Sequence, residues 1–499
     1  VSAPLELRSA PGRWVLATTV LGSGLAMLDA TVVNIALGRI GAEFDAGFSG
    51  LQWTINGYTL TLASLILLGG SLGDRFGRKR VFLIGIVWFA VASALCGLAQ
   101  NIEMLIAARA LQGIGGALLT PGSLAIISAS FANSDRTKAI GAWSGLGGIA
   151  GAVGPFLGGW LVEVSWRLVF LINLPLALII VLIAVRHVPE TRDPAASKHL
   201  DIPGTALGAL GLAGLTYGLT SLGESGLDLP VLAALAVGVF ALVGFVEVER
   251  TAKQPMMPTH LFANRQFSAA NFVTLLVYGA LGTVFFLVVL QLQVVAGFSP
   301  LLAGAALLPI TALMLLLSPR AGALAQRIGP RLPMTVGPLV CTTGLLLMLR
   351  IGPQASYLLD VLPAVAVFGL GLSTFVAPLT ATVLDAAEAR HAGIASGVNN
   401  AIARAAGQLA VAVVPVAAGL AGSDYEDPAT FDAGFTNAML IAAGMLALGG
   451  VVSFALVRGG LGEEPGPRKG PERVRIEQCA HCGVSSPQSY PRESANTES

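Results

Sequence analysis

The chain has 499 residues, of which 54% are hydrophobic and 11% charged, with a net charge of +1. A soluble domain carries about 25% charged residues, so this chain cannot coat a water-exposed surface of its size. That excludes an ordinary soluble enzyme or nucleic-acid binder. A bilayer is the natural solvent, and the 61 glycines suit closely approaching membrane helices.

A spanning helix needs about 20 mainly apolar residues. In chain order such runs fall near 14–37, 51–72, 81–99, 104–128, 138–162 and 167–186. A further pair covers 203–222 and 229–247. The last six lie near 269–293, 301–320, 333–352, 358–384, 393–419 and 435–457. The expected fold class is all-α integral membrane, with about fourteen transmembrane helices. It divides into a cytoplasmic N-terminus (1–13) and an N-terminal six-helix bundle (14–186). A linker with two inserted helices (187–268), a C-terminal six-helix bundle (269–457) and a cytoplasmic, disordered tail (458–499) complete it. Cys479 and Cys482 in the tail form a lone Cys-x-x-Cys. It lacks the second ligand pair of a zinc site, so no metal is expected.

Loop charge tests this count through the positive-inside rule. With the N-terminus inside, the inner loops hold Arg75, Arg78, Lys79, Arg80, Arg136, Lys138, Arg186, Arg192 and Lys198. Further along they hold Arg250, Lys253, Arg265, Arg320, Arg327, Arg331 and Arg390. The outer loops hold only Arg39, Arg167 and Arg350. One missed helix would scramble this asymmetry, so both termini are expected in the cytoplasm. The 421–432 segment, with Asp424, Glu426, Asp427 and Asp432, reads as a solvated outer loop.

The string after the second span is Gly70-Ser-Leu-Gly73-Asp74-Arg75-Phe-Gly77-Arg78-Lys79-Arg80. Its glycines permit a tight reversal, and its cations hold it at the inner face. Asp74 has an arginine or a helix N-terminus as its candidate partner. A turn with a topology signal is one reading; a state-dependent latch is the other. A weaker copy, Gly322-Ala-Leu-Ala-Gln326-Arg-Ile-Gly-Pro-Arg331, follows the second span of the last six. Transporters are commonly built from such repeats.

The Gly70–Arg80 string resembles the signature loop of the major facilitator superfamily. Arg109-Ala-Leu-Gln112-Gly-Ile-Gly-Gly116 is similar to that superfamily's second motif. Gly154-Pro155-Phe-Leu-Gly158-Gly159, with Gly141 upstream, resembles the motif of its drug:proton antiporters, although Ala150 replaces one expected glycine. Leu28–Leu37 and Trp166–Pro175 resemble the fourteen-helix branch, with Gly38 where that branch often has proline. The resemblance spans roughly 12–458 and implies the major facilitator fold, two six-helix bundles plus two inserted helices.

Intramembrane charge is costly and usually functional. Away from span ends it comprises Asp29, Arg109 and Arg404. Asp29 lies roughly 12 Å, and Arg109 roughly 8 Å, from the outer ends of their expected spans at 1.5 Å per residue. They are expected to share a layer. In the resemblance Asp29 carries the proton or meets a cationic substrate, and Arg109 influences its protonation; a static ion pair is the alternative. Asn34, Asn56, Gln112, Gln291, Asn399 and Arg404 are candidate cavity-lining residues. Helix-to-helix bonding is an equal alternative for Asn399 and Arg404. Trp53 and Tyr58 suit interface anchoring or binding.

No phosphate-cradling loop or metal-spaced histidine pair is present, so neither an enzyme nor ATP drive is expected. The implied function is proton-coupled export of hydrophobic drugs or antibiotics, cationic ones included, across the bacterial plasma membrane. The alternative is a proton-coupled importer or a non-transporting sensor of the same fold. The expected partners are a small-molecule substrate and membrane lipids, with no nucleic acid. Protons are the coupling ion, no cofactor is expected, and the chain is expected to be a monomer.

Overall fold

In hydrocarbon every backbone N–H and C=O must find a partner inside the protein, so apolar runs fold as helices. The computed structural model describes residues 5–131, 133–192, 201–252, 255, 257, 259–386, 392–421 and 427–458. Cys479 and Cys482 lie outside the described residues.

Helix α1 spans Ala10–Phe44, α2 Phe48–Phe76, α3 Arg78–Gly97, α4 Ile102–Ser130 and α5 Asn133–Val164. Helix α6 covers Leu168–His187. The inserted pair is α7, Ile202–Ser225, and α8, Leu229–Thr251. Helix α9 covers Arg265–Leu290 and runs through a π turn to Val295. Helix α10 covers Pro300–Ile328 with a break at Leu307. Then come α11, Arg331–Met348, α12, Leu362–Asp385, α13, Ala392–Ala417, and α14, Pro428–Leu456. Thirteen of these are long and apolar enough to cross a bilayer; α5, with 32 residues, is the remaining long helix.

Two boundaries differ from the sequence reading for a physical reason. Helix α1 does not stop at residue 37; Gly38 stays helical, and Asp45 ends the helix in the left-handed conformation at φ 49°. Asp432 is not in a solvated loop but in the first turns of α14, where it accepts from Gln291 Nε2 at 2.5 Å. Asp427 caps that helix by accepting from the Ala429 and Thr430 amides, which hold its carboxyl below the usual range together with the Thr430 hydroxyl.

In the first bundle α4 lies between α2 and α3, and α1 packs on α4, α5 and α6. In the second, α9 packs on α13 and α14, and α12 lies against α10 and α11. The repeat seen in sequence has a structural counterpart. Gly77 and Gly329 stand at matching places in the two loop strings, and both have positive φ, 117° and 83°. Each turns the chain between two helices where a side chain would be strained.

The bundles meet at the end that carries the 45–47 and 296–299 turns. There Gln52 Nε2 donates to the Val411 carbonyl at 2.7 Å, and Gln293 Nε2 to the Ile35 carbonyl at 3.0 Å. Phe48 and Phe286 meet edge to face at 5.5 Å. Toward the other end, which carries the Gly70–Arg80 and Gly322–Arg331 strings, a cavity of about 880 Å³ lies between the bundles.

The inserted pair lies on one side of this junction. Helix α7 touches both α2 and α13, and α8 packs chiefly on α7. Gln408 Nε2 donates to Thr216 Oγ1 at 2.7 Å, fastening α13 to α7. The outer face of α8, with Phe240 75% exposed, suits lipid and not water. The two helices approach through Gly214, where an added Cβ would stand 2.7 Å from the Ala234 carbonyl oxygen. Gly214→Val is expected to cost about 1–3 kcal/mol by overpacking this seam. Gly444→Ala, where a Cβ meets nothing within 4 Å, is expected to change stability by less than about 0.5 kcal/mol. Thermal unfolding of the purified protein in detergent measures both; equal melting temperatures would refute the seam.

Candidate functional site

Asp29 and Arg109 are completely interior, at 0% and 1% exposure. Arg109 Nη1 donates to Asp29 Oδ2 at 2.6 Å. Burying either charge alone would be prohibitive, so each must be paired and saturated with hydrogen bonds. Gln112 Nε2 donates to Asp29 Oδ1 at 2.8 Å, and Asn173 Nδ2 to the same oxygen at 2.9 Å. Both amides also donate to Ser93 Oγ, at 2.6 and 3.1 Å. Arg109 is held further by Gln112 Oε1 at 2.5 Å and by the Thr54 carbonyl at 3.1 Å. Its guanidinium lies 4.4 Å from the Tyr58 ring centroid and 5.7 Å from that of Phe170. The cluster thus joins α1, α2, α3, α4 and α6.

The sequence reading finds the charged pair, gives Gln112 as a cavity residue and Tyr58 as an anchor or binding residue, and does not single out Asn173 or Ser93. Asn173 is a polar residue inside the Trp166–Pro175 string, and that is the only sequence signal for it. Tyr58 is 2% exposed inside the bundle, so it is not an interface anchor. Asp29 lies 15 residues before the end of α1, roughly 22 Å at 1.5 Å per residue, because α1 runs on to Phe44. It is therefore near mid-helix, and Arg109, near the start of α4, still reaches it.

Asp29 does not face the cavity. The next residues on α1 do: Ala30, Thr31 and Asn34 line it, with Pro155, Phe285, Met314 and Thr380 among others. Among the described residues that line it, none is ionisable. Among the six candidate lining residues, only Asn34 borders this cavity. Gln112 belongs to the Asp29 cluster instead. Asn56 is buried with neither side-chain polar atom partnered. Gln291 is buried and donates to the Ile351 carbonyl as well as Asp432. Asn399 donates to Asn271 and Thr274, joining α13 to α9. Arg404 is half-buried on α13. The bonded amides of Gln291 and Asn399 serve packing, because an unpaired polar group in an apolar interior is costly.

The Gly154–Gly159 segment connects cluster, cavity and second bundle. A Cβ on Gly154 would collide with Thr31 Oγ1, and one on Gly158 would lie 3.0 Å from Val32 Cα. A Cβ on Gly159 would lie 2.6 Å from Leu301 Cα, and one on Gly304 would strike the Pro155 carbonyl. Helix α5 is thus wedged between α1, two to three residues past Asp29, and the start of α10. Pro155 also lines the cavity. The surroundings of Gly141 lie outside the described residues.

The Gly70–Arg80 string closes α2 and opens α3. Asp74 pairs with Arg78 four residues on, at 2.7 Å, within the first bundle. Gly77 makes the turn and donates to the Gly73 carbonyl at 3.0 Å. Gly73 itself is helical, and a Cβ there would have room, 3.9 Å from Arg78 Cα. Gly70 likewise has space, at 3.6 Å from Pro121. Arg75 is exposed beside the Phe76 ring. The Glu190 carboxylate, beyond α6, accepts the Lys79 and Arg80 amides at 3.1 and 3.2 Å. It caps the positive end of α3 and was not legible in sequence.

Comparison with known proteins agrees with this architecture. The family model described as Major Facilitator Superfamily matches residues 19–412. The chain is 37% identical to the methylenomycin A resistance protein of Bacillus subtilis (strain 168), covering 84% of this chain and 90% of that one. It is 35% identical to the tetracenomycin C resistance and export protein of Streptomyces glaucescens, covering 82% and 76%. Among solved structures, a D-xylose–proton symporter aligns over 90% of this chain and 98% of its own, with TM-score 0.64 at 15% identity. A bacterial homologue of the lysosomal transporter Spinster aligns over 90% and 97%, with TM-score 0.62 at 18% identity. With an internally paired helical fold, a cavity between two bundles and a family match over most of its length, the chain belongs to the Major Facilitator Superfamily.

Proposed function

We propose that this chain exports hydrophobic antibiotics or other drugs from the cytoplasm in exchange for protons. The carrying observation is Asp29, a carboxylate sealed from water within one bundle and adjoining, along α1, both the cavity wall and the α5 wedge. The names of its relatives, resistance and export proteins for antibiotics, support the direction and the cargo class. Both termini and the end of the cavity nearer the Gly70–Arg80 string lie on the cytoplasmic side of a bacterial plasma membrane, a reading that the loop charges support. The apolar cavity receives cargo there. The chain acts as a monomer among lipids, with protons as the coupling ion, no cofactor and no catalytic step.

Coupling follows from the pair. Ionised Asp29 balances Arg109, and the first bundle stays tight. Protonation removes that balance and leaves a buried guanidinium facing a neutral acid. The helices must then move or admit water. Any shift of α1 presses on Gly154 and Gly158, and through Pro155 and Gly159 on α10. A proton bound from outside and released inside thereby drives the bundles between their two openings.

Asp29→Asn is expected to abolish protonophore-sensitive efflux of a fluorescent drug from cells, while the purified variant still binds that drug. Unchanged proton-driven efflux would sink the assignment. A sensor would leave drug accumulation unaltered in a drug-sensitive host, and an importer would raise it. Arg109→Gln strands a buried carboxylate and is expected to lose about 3–5 kcal/mol. The double variant Asp29→Asn/Arg109→Gln is expected to regain most of that loss, measured as melting temperature. Simple additivity of the two single effects would exclude the buried pair as a coupled unit.

A further inference from the structure

The cavity between the bundles has a closed end and an open end, and its lining residues fall in order between them. At the closed end Gln293 of α9 donates to the Ile35 carbonyl of α1, and a Cβ on Gly304 would strike the Pro155 carbonyl. Ile35 and Pro155 line the cavity there, with Leu307 three residues past Gly304. At the other end the lining reaches Gly322, where the second loop string begins, and Leu384, one residue before the end of α12. Asn34, beside Ile35, therefore sits deep, next to the closure. Thr311 lies one turn of α10 beyond Leu307, whereas Ser318 and Thr380 stand nearer the open end.

The polar groups of this wall differ in what they have left to offer. The Thr31 hydroxyl donates to the Leu28 carbonyl at 2.9 Å, and the Thr380 hydroxyl to the Val376 carbonyl at 3.1 Å, so both protons are taken by their own helices. Asn34 Nδ2 donates to the Ala30 carbonyl at 3.2 Å. A carbonyl can only accept, so this bond fixes which end of the amide faces the helix. It turns Oδ1 away, and Oδ1 has no hydrogen-bond partner among the described residues. The side chain is half-buried and borders the cavity, within reach of a guest. An acceptor in apolar surroundings is poorly solvated, so a donor that meets it gains more than it would in water. An ammonium or carboxylate brought to the same depth would lose its water without a counter-charge from any described lining residue.

We propose that Asn34 selects the cargo: its Oδ1 accepts a hydrogen bond from a hydroxyl or N–H on an uncharged molecule whose apolar body lies along the wall toward the open end. The favoured substrate class is a neutral hydrophobic compound with a donor at one end. It is preferred over the same skeleton with that donor capped, and over the same skeleton ending in a cation. Asp29, five residues earlier on α1, points into the first bundle, so cargo and proton use different sides of one helix. The inference rests on the export reading and deepens it, but its test is an equilibrium one that does not require transport.

The probes are 1-pyrenebutanol, its methyl ether and 1-pyrenebutylamine, which share one ring system and end in a neutral donor, a capped oxygen and a cation. Binding to the full chain in phosphatidylcholine nanodiscs is measured by equilibrium dialysis, with uptake by empty nanodiscs subtracted. The alcohol is expected to bind about fivefold tighter than the ether, and the amine more weakly than the alcohol. Asn34→Leu is expected to bring the alcohol to the affinity of the ether while the ether keeps its own. If Asn34 only packs α1, the substitution moves alcohol and ether together, and the proposal fails. Asn34→Asp puts a carboxylate at the same point and is expected to make the amine the tightest of the three. Equal affinities of alcohol and ether in the unaltered protein, or an amine still weaker than the alcohol in Asn34→Asp, would overturn the proposal. The Asn34 amide bonds only within its own helix, so both variants are expected to fold, which their melting temperatures check. Loss of proton-driven efflux with the alcohol preference intact would instead count against the export reading alone.

Discussion

The structure is organised around the cost of one carboxylate in hydrocarbon. Asp29 is fully buried, so its charge and lone pairs are answered by protein groups. Arg109, Gln112 and Asn173 answer them from α4 and α6, and Ser93 on α3 ties the two amides together. The ring of Tyr58 lies close to the guanidinium. Helices of the first bundle are therefore held in register by polar contacts at one depth, where lipid supplies no hydrophobic drive between helices. Such a centre is stable only while its charges balance. That is the property a coupling site needs, because one proton alters the balance without altering the chain.

The rest of the first bundle transmits what happens there. Helix α5 touches α1 through Gly154 and Gly158, and α10 through Pro155 and Gly159. Small residues let these helices approach so closely that Gly154 and Gly158 lie directly against Thr31 and Val32. A movement of α1 therefore has to be followed by α5 and α10. At the end bearing the 45–47 and 296–299 turns, Gln52 and Gln293 bind carbonyls of the opposite bundle. These contacts close one mouth while the cavity lies toward the other.

Charge is divided between the two halves of the molecule. The first bundle holds a balanced pair away from the cavity, and in the second Arg404 makes no hydrogen bond or ion pair among the described residues. The loop strings show the same asymmetry, since Gln326 stands where the first copy has Asp74. Their backbone geometry is shared all the same: Gly77 and Gly329 both turn with positive φ. The repeat has kept the turn and given up the charge.

The residues legible in sequence were those whose chemistry conflicts with their surroundings. Asp29, Arg109 and Arg404 stand out because charge interrupts an apolar run, and the helix count follows from run lengths and from the arginines between them. Gly154, Pro155, Gly158 and Gly159 were legible as a string, but not the backbones they touch. Asn173, Ser93 and Glu190 were missed, Tyr58 was read as an interface anchor or a binding residue, and Asn56 and Gln291 were placed on a cavity that they do not border. The reason is physical. In a soluble helix, periodic polarity marks the outer face, whereas in a bilayer the lipid side and the protein side are both apolar. Sequence therefore determined the spans, their order and the residues too costly to be idle. Only the tertiary structure decided which way each helix turns, so only it could place Asp29 inside the bundle and Asn34, five residues on, at the cavity.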